Sequence, residues 1–234
     1  MREIVFDTET TGLDPSTGDR LVEIGCIELI NRFPTGNTFH RYLNPERDMP
    51  EPAFKVHGLS VEFLSDKPLF ATIVEELVEF LGDAPLVAHN AMFDLGFLNA
   101  ELKRAGAEIV ARERLVDTLM MARRKHPGGS NRLDDLCVRY KVDNSKRTKH
   151  GALLDAELLA EVYIEMTGAR QTSFGLAALG GSSERGRFAN ARQRPAPLPS
   201  RLTAEEVERH RAFVAKMGEA AIWNKYLADE KPAG

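Results

Sequence analysis

Cysteine is scarce in this chain of 234 residues: Cys26 and Cys137 lie far apart and form no CxxC pair. A disulfide scaffold is thereby excluded, and a reduced, cytoplasmic protein is expected. Also missing is any apolar run approaching the ~18 residues of a membrane span. Acids at Glu3, Asp7 and Glu9 interrupt the N-terminus before a signal-peptide apolar region can form, so the expectation is a soluble, non-exported protein without a membrane partner. Positive charge is not in excess either: 31 Lys and Arg stand against 35 Asp and Glu, a formal net charge of −4. That balance argues against a simple basic nucleic-acid binder but says nothing about a metal-assisted one. No internal repeat of about 20–50 residues is present. What remains is ordinary globular material, 43% hydrophobic and 28% charged, of a length that suits one domain with an appendage.

From Glu3 to about Gly168 strand-like and helix-like stretches alternate. Ile4-Val5-Phe6 is a short apolar run, Leu21 to Ile30 a longer β-branched one, and Asn37 to Leu43 a third strand, with Asn31 to Gly36 read as the turn of an antiparallel hairpin. Apolar residues at helical spacing predict a helix over Leu69 to Leu81. Pro85 to His89 reads as a buried strand and Ala91 to Ala105 as a helix, with three more helical stretches starting near Thr118, Arg132 and Leu153. Strands before and between helices point to an α/β domain with a mixed sheet flanked by helices. Beyond residue 168 the composition changes. Residues 180–200 carry Gly, Ser, Arg and Pro with few apolar side chains, as a flexible linker does. A last amphipathic helix is expected from Thr203 to about Leu227, opened by a Thr203/Glu206 capping box and striped by Val207, His210, Val214, Met217 and Ala221.

Several acids occupy positions a structural role does not require. Asp7 and Glu9 follow the first apolar strand at i and i+2, which aims both carboxylates to one face, where like charges repel unless a cation lies between them. Asp94 opens the Ala91 helix, and Asn90 before it suits an N-cap. Asp155 shares the apolar face of its helix with Leu158, Leu159 and Val162, so as an unpaired charge it would be costly to bury. His150, set off by Gly151, belongs to a loop over the same cleft and is the natural general base. Asp117 reads as an N-cap. Four acids and a histidine from three segments describe a two-metal phosphodiester hydrolase. Oxygen ligands without cysteine favour Mg²⁺ or Mn²⁺, two ions about 4 Å apart holding the attacking and leaving oxygens.

The segments Phe6 to Gly12 (FDTETTG), His89 to Asp94 (HNAMFD) and His150 to Tyr163 (HGALLDAELLAEVY) resemble, in order, spacing and content, the three motifs of the DEDD 3′–5′ exonucleases of the histidine branch. Through NSKRTKHGALLDA and QTS the resemblance extends to the proofreading subunits of bacterial DNA polymerase III. It covers roughly the first 176 residues closely and the last 30 more loosely. It implies a ribonuclease-H-like fold and 3′–5′ hydrolysis of a DNA end. By the same resemblance Asp7, Glu9 and Asp155 would bind one metal, Asp7 a second, and Asp94 a ligand of that second ion, with His150 as base. Thr8, Thr10, Leu13, Val56, His57, Asn90 and Phe93 would hold the terminal nucleotide.

Gln171 to Leu176 resembles the short peptide that binds the sliding (beta) clamp, with Gln171, Phe174 and Leu176 as anchors. It departs from the usual pattern by placing Phe174 where an aliphatic is commoner and Leu176 where an aromatic is. An isolated terminal helix is marginal in water and needs a partner surface. The resemblance supplies the polymerase catalytic (alpha) subunit, with Val214, Met217, Trp223, Tyr226 and Leu227 as anchors, and adds a small theta-like subunit. The expected division is a nuclease domain over 1–168, a linker over 169–201 and a helical tail over 202–234. Two other readings compete, a stand-alone exoribonuclease of the same superfamily and an added role as polymerase–clamp adaptor. By parts, residues 1–168 carry 20 basic and 28 acidic side chains, and 169–234 carry 11 and 7. Within the first part Arg123 to His150 holds nine Lys or Arg against three Asp, a basic approach to the histidine suited to a phosphate backbone.

Overall fold

The computed structural model describes residues 1–147, 149–169, 202–218 and 221–223. The chain divides into two compact units, Met1–Ser173 and Phe174–Gly234.

The first unit is built on a five-stranded sheet. Strands β1 (Arg2–Thr10), β2 (Leu21–Ile30) and β3 (Phe33–Tyr42) pair antiparallel, while β4 (Leu86–Ala88) and β5 (Leu115–Asp117) add in parallel, in the order β3-β2-β1-β4-β5. The mixed sheet expected from the sequence is therefore present. The hairpin turn is tighter than expected, because Asn31 and Arg32 alone make it, both left-handed with φ of 53° and 70°. Pro34 and Gly36, which read as turn residues, instead lie on β3, an exposed edge strand where a proline costs no ladder bond.

Among the described residues of this unit seven α-helices accompany the sheet: α1 (Glu51–His57), α2 (Val61–Leu64), α3 (Phe70–Leu81), α4 (Ala91–Arg104), α5 (Thr118–Lys125), α6 (Leu133–Tyr140) and α7 (Ala152–Thr167). The two-residue period of β1 splits the core. Ile4 and Phe6 pack with Leu77 and Leu98 under α3 and α4, and Val5 packs on the opposite face with Leu159 and Val162 of α7. Two features fix α7 against the sheet. At its N-terminus the backbone of Ala152 and Leu153 lies so close to Gly25 of β2 that a Cβ there would fall 2.4 Å from Leu153 Cα. Toward its C-terminus the Tyr163 hydroxyl donates to Glu3 Oε1 at 2.8 Å, with Arg32 stacked 4.3 Å from the Tyr163 ring centroid.

In the second unit α8 spans Ala204–Lys216 and opens with the anticipated reciprocal capping box between Thr203 and Glu206. It is shorter than its sequence pattern: Met217 caps it and Gly218 follows at φ 82°, so Ala221 is not on its stripe. Val214 is 1% exposed, whereas Phe213 one residue away, and so on a different side of the helix, is 63% exposed. Met217 and Trp223 are also exposed, Trp223 with its ring 5.9 Å from His210. Gln171, Phe174, Leu176, Tyr226 and Leu227 lie outside the described residues.

Candidate active site

Because Val5 faces α7, Asp7 and Glu9 carry the same alternation and face it as well, while Thr8 between them turns toward α4. The register opposite Asp7 is Gly25, the residue that admits α7 to the sheet. The backbone contact that places Ala152 and Leu153 against β2 thus brings Asp155, in the first turn of α7, alongside the acids of β1. From the other side Asp94, in the first turn of α4, accepts a hydrogen bond of 2.8 Å from Thr8 Oγ1. Asp94 and Asp155 are 3% and 2% exposed.

Such a cluster resists ionisation. Burial, then Asp94, Glu9 and Asp155, push the Asp7 carboxyl well above the carboxylate range. Burial, then Asp155 and Glu23, push Glu9 up to about 8. Burial pushes Asp94 up to about 7 against the hydrogen bond from Thr8. For Asp155 burial also acts upward, but Arg147 and His150 together hold it below its ordinary value. Carboxyl groups so displaced lack positive charge, and a divalent cation supplies it. Ligand atoms of Glu9, His150 and Asp155 all lie within 4.8 Å of one another, so the donors present fit a hard metal ion. Asp7 is outside that tight set but is electrostatically coupled to all three other acids.

Arg147 is the site residue the sequence reading did not single out, although it lies in the quoted NSKRTKH stretch. Its guanidinium holds Asp155 through two bonds, Nε to Oδ1 at 2.6 Å and Nη2 to Oδ2 at 2.7 Å, and Nη1 reaches Asp134 Oδ2 at 2.8 Å. Nη2 also lies 2.7 Å from His150 Nδ1, and that nitrogen stands 3.1 Å from Asp155 Oδ2. The side chain of His150 is half-exposed in the loop before α7, as its spacing suggested.

Two clefts meet at the acids. One, of about 680 Å³, is lined by Asp7, Asp155 and His150 with Arg123, Arg132 and Arg147, so the basic stretch noted in the sequence does reach the acids. The other, of about 510 Å³, is lined by Thr8, Glu9, Thr10, Leu13, Val56, His57 and Phe93. Six of the seven residues expected at a terminal nucleotide, together with the acid Glu9, therefore share one pocket. Leu13 and Val56 are exposed apolar side chains in it, and Phe93 is half-buried with its ring 5.0 Å from that of Phe97. Asn90 does not line it. It takes the N-cap position of α4 in a left-handed conformation (φ 68°), its side chain makes no capping bond, and it is exposed. Asp117 does cap α5, accepting from the backbone N–H of Leu119 and Met120. His89 of the second motif is tied at both ring nitrogens, to Thr118 Oγ1 and the Asn131 carbonyl, each at 2.9 Å.

A mixed sheet whose first strand ends in two acids, met by acids from two flanking helices and an imidazole, defines a metal-dependent phosphodiester hydrolase. The Exonuclease (RNase T) family matches residues 4–163. Among curated relatives, the DNA polymerase III subunit epsilon of Rickettsia felis is 50% identical over 224 residues, 93% of this chain and 97% of that protein. That of Escherichia coli K12 is 45% identical over 237 residues, 95% and 97% of the two chains. Among solved structures, exonuclease X in complex with 5′ overhanging duplex DNA superposes with a TM-score of 0.54 at 25% identity, covering 76% of this chain and 99% of that one. The nuclease domain of 3′hExo, a DEDDh family member bound to rAMP, reaches 0.59 at 15% identity over 71% and 92%, a likeness of fold. The chain belongs to the exonuclease family, on the branch of the DNA polymerase III epsilon subunits, and is a metal-dependent 3′–5′ exonuclease.

Proposed function

We propose that this chain proofreads DNA synthesis, removing mispaired 3′ nucleotides as part of a DNA polymerase III assembly. The observation that carries the reading is the meeting of the two clefts at the acids: a basic one for the phosphate backbone and a partly apolar one for the terminal nucleotide, with Glu9 in one and Asp7 and Asp155 in the other. Asp7, Glu9 and Asp155 would hold one divalent ion and Asp7 a second, with Asp94 placing a water or ligand of that second ion, Mg²⁺ or Mn²⁺ in each case. Such ions would neutralise the acids and make a nearby water more acidic. The chain's own residues do the rest. Thr8 fixes the Asp94 carboxylate by its hydrogen bond, while Leu13, Val56 and Phe93 offer apolar surface to an unstacked terminal base and sugar. His150, half-exposed beside Asp155, takes the proton of the water that attacks the terminal phosphodiester. A frayed end enters more readily than a paired one, because the terminal base must leave its stack.

The second unit would tie this nuclease to its assembly. Phe213, Met217 and Trp223 present exposed apolar surface on and after α8, which suits the polymerase alpha subunit. The Gln171–Leu176 peptide suits the beta clamp, and a theta-like subunit is a further partner of such assemblies. An adaptor role is additional to the nuclease. The test is hydrolysis of 3′-mispaired DNA, matched DNA and RNA of the same sequence by the full chain and by its Asp7→Ala variant. Preference for the mispaired DNA, abolished by the substitution, is expected. Strong preference for RNA favours the exoribonuclease reading, and activity above a few per cent in Asp7→Ala removes the site.

A further inference from the structure

Arg147 has no part in the reaction just described, yet it makes more bonds to the site than any residue assigned to it. Its side chain is 8% exposed, and its guanidinium is shared among Asp155, Asp134 and His150. Both oxygens of Asp155 accept from it. A divalent ion seated on either oxygen would stand a few ångströms from the guanidinium, and two cations at that separation repel in a buried site. Ligation by Asp155 and the fork from Arg147 are therefore competing states of one carboxylate. The same guanidinium stands 2.7 Å from His150 Nδ1, so the imidazole is held against the arginine as well. The third anchor differs: Asp134 is a half-exposed side chain on the cleft wall, outside the acid cluster.

We infer that Arg147 is an intramolecular counterion for Asp155 that metal binding must displace, a positioning residue whose departure also frees His150. Asp134 keeps the displaced guanidinium tethered at the wall of the basic cleft, so the exchange needs a side-chain swing and no refolding. This inference rests on the assignment of Asp155 as a metal ligand, and the test separates the two.

The measurement is Mn²⁺ binding to the chelator-treated full-length protein without DNA, followed by calorimetry or by the spectroscopic signal of free Mn²⁺. Losing a bidentate charged pair in Arg147→Ala should tighten Mn²⁺ binding by roughly tenfold or more. Arg123→Ala removes the same charge from the same cleft without touching Asp155, and should change the affinity by about twofold at most. Unchanged or weaker binding in Arg147→Ala, or equal tightening in Arg123→Ala, overturns the counterion role. Asp155→Ala must lose wild-type binding; if it does not, the metal-site assignment fails first and the counterion role with it. Should Arg147→Ala not fold, the Nε–H resonance of Arg147 in the labelled wild-type protein decides. It should shift as Mg²⁺ is added, and a resonance that stays put overturns the inference.

Discussion

Gly25→Ala isolates the part of the fold that sets the distance between the acids of β1 and Asp155. A Cβ at position 25 would lie 2.4 Å from Leu153 N and Cα and 2.5 Å from Ala152 C, all backbone atoms that cannot rotate away. Ordinary carbon contacts begin near 3.5 Å, so the start of α7 must withdraw by roughly 1 Å. Overpacking of this kind costs about 1–3 kcal/mol of stability, which a unit of this size survives. The catalytic cost is larger. Asp155 lies two residues beyond Leu153 and His150 three before it, while Asp7 stands opposite Gly25 in the register, so the displacement opens the site at its centre. A misplacement near 1 Å costs about a hundredfold in rate. The assay is single-turnover release of the 3′ nucleotide from end-labelled single-stranded DNA at saturating metal, alongside urea unfolding. A variant that keeps more than a third of the wild-type rate, or is destabilised with its rate intact, refutes the argument that this glycine sets catalytic geometry.

Two further outcomes follow from the same geometry. Folding raises the carboxyl pKa of Asp7, of Asp94 to about 7 and of Glu9 to about 8, so the folded state binds more protons than the unfolded one from their ordinary values up to those points. The stability they contribute is thus present at low pH and lost as pH rises through the folded values. Protein in chelator should melt at a lower temperature at about pH 9 than at about pH 6, and Mg²⁺ should raise the melting point more at the higher pH; equal increments would contradict the coupling. A chain ending at Gly168, the cap of α7, should retain hydrolysis of single-stranded DNA and fail to co-elute with the polymerase, and continued co-elution would refute the assignment of the second unit.

The elements with long periodic patterns, β2, α3, α4 and α7, were legible in the sequence to within a residue or two, because one-sided burial imposes its period on them. β1 was read only as its apolar centre Ile4–Phe6, because the acids Asp7 and Glu9 that extend it to Thr10 read as lying beyond the strand. Three elements escaped. β5 is three residues long, too short to show a period, and its Asp117 reads first as the cap it is. α1 and α2 are short helices in which Phe54, Val56, Val61 and Phe63 stay exposed and only Leu64 of the apolar side chains is buried, so no stripe marks them. The edge strand β3 was shortened in reading because Pro34 and Gly36 look like turn residues and its first half faces solvent. At the site, the acids and His150 were readable because each contradicted its local surroundings. Arg147 was not, since an arginine in a basic loop contradicts nothing until the chain folds it against Asp155. α8 was overextended because amphipathic spacing continues past Gly218, where the backbone turns left-handed and the helix has already stopped.

The order of the acids along the chain has a consequence for truncated forms of it. Asp7 and Glu9 lie on the first strand of the nuclease unit, but Asp155 comes near its far end, on the helix that also completes one side of the core, with His150 in the loop just before that helix. No earlier portion of the polypeptide contains the whole ligand set, and sheet strands without α7 leave Val5, Ile27 and Val87 uncovered. A chain that stops short of α7 therefore lacks both Asp155 and the helix face that covers Val5. Completion of the ligand set and closure of that side of the core depend on the same helix.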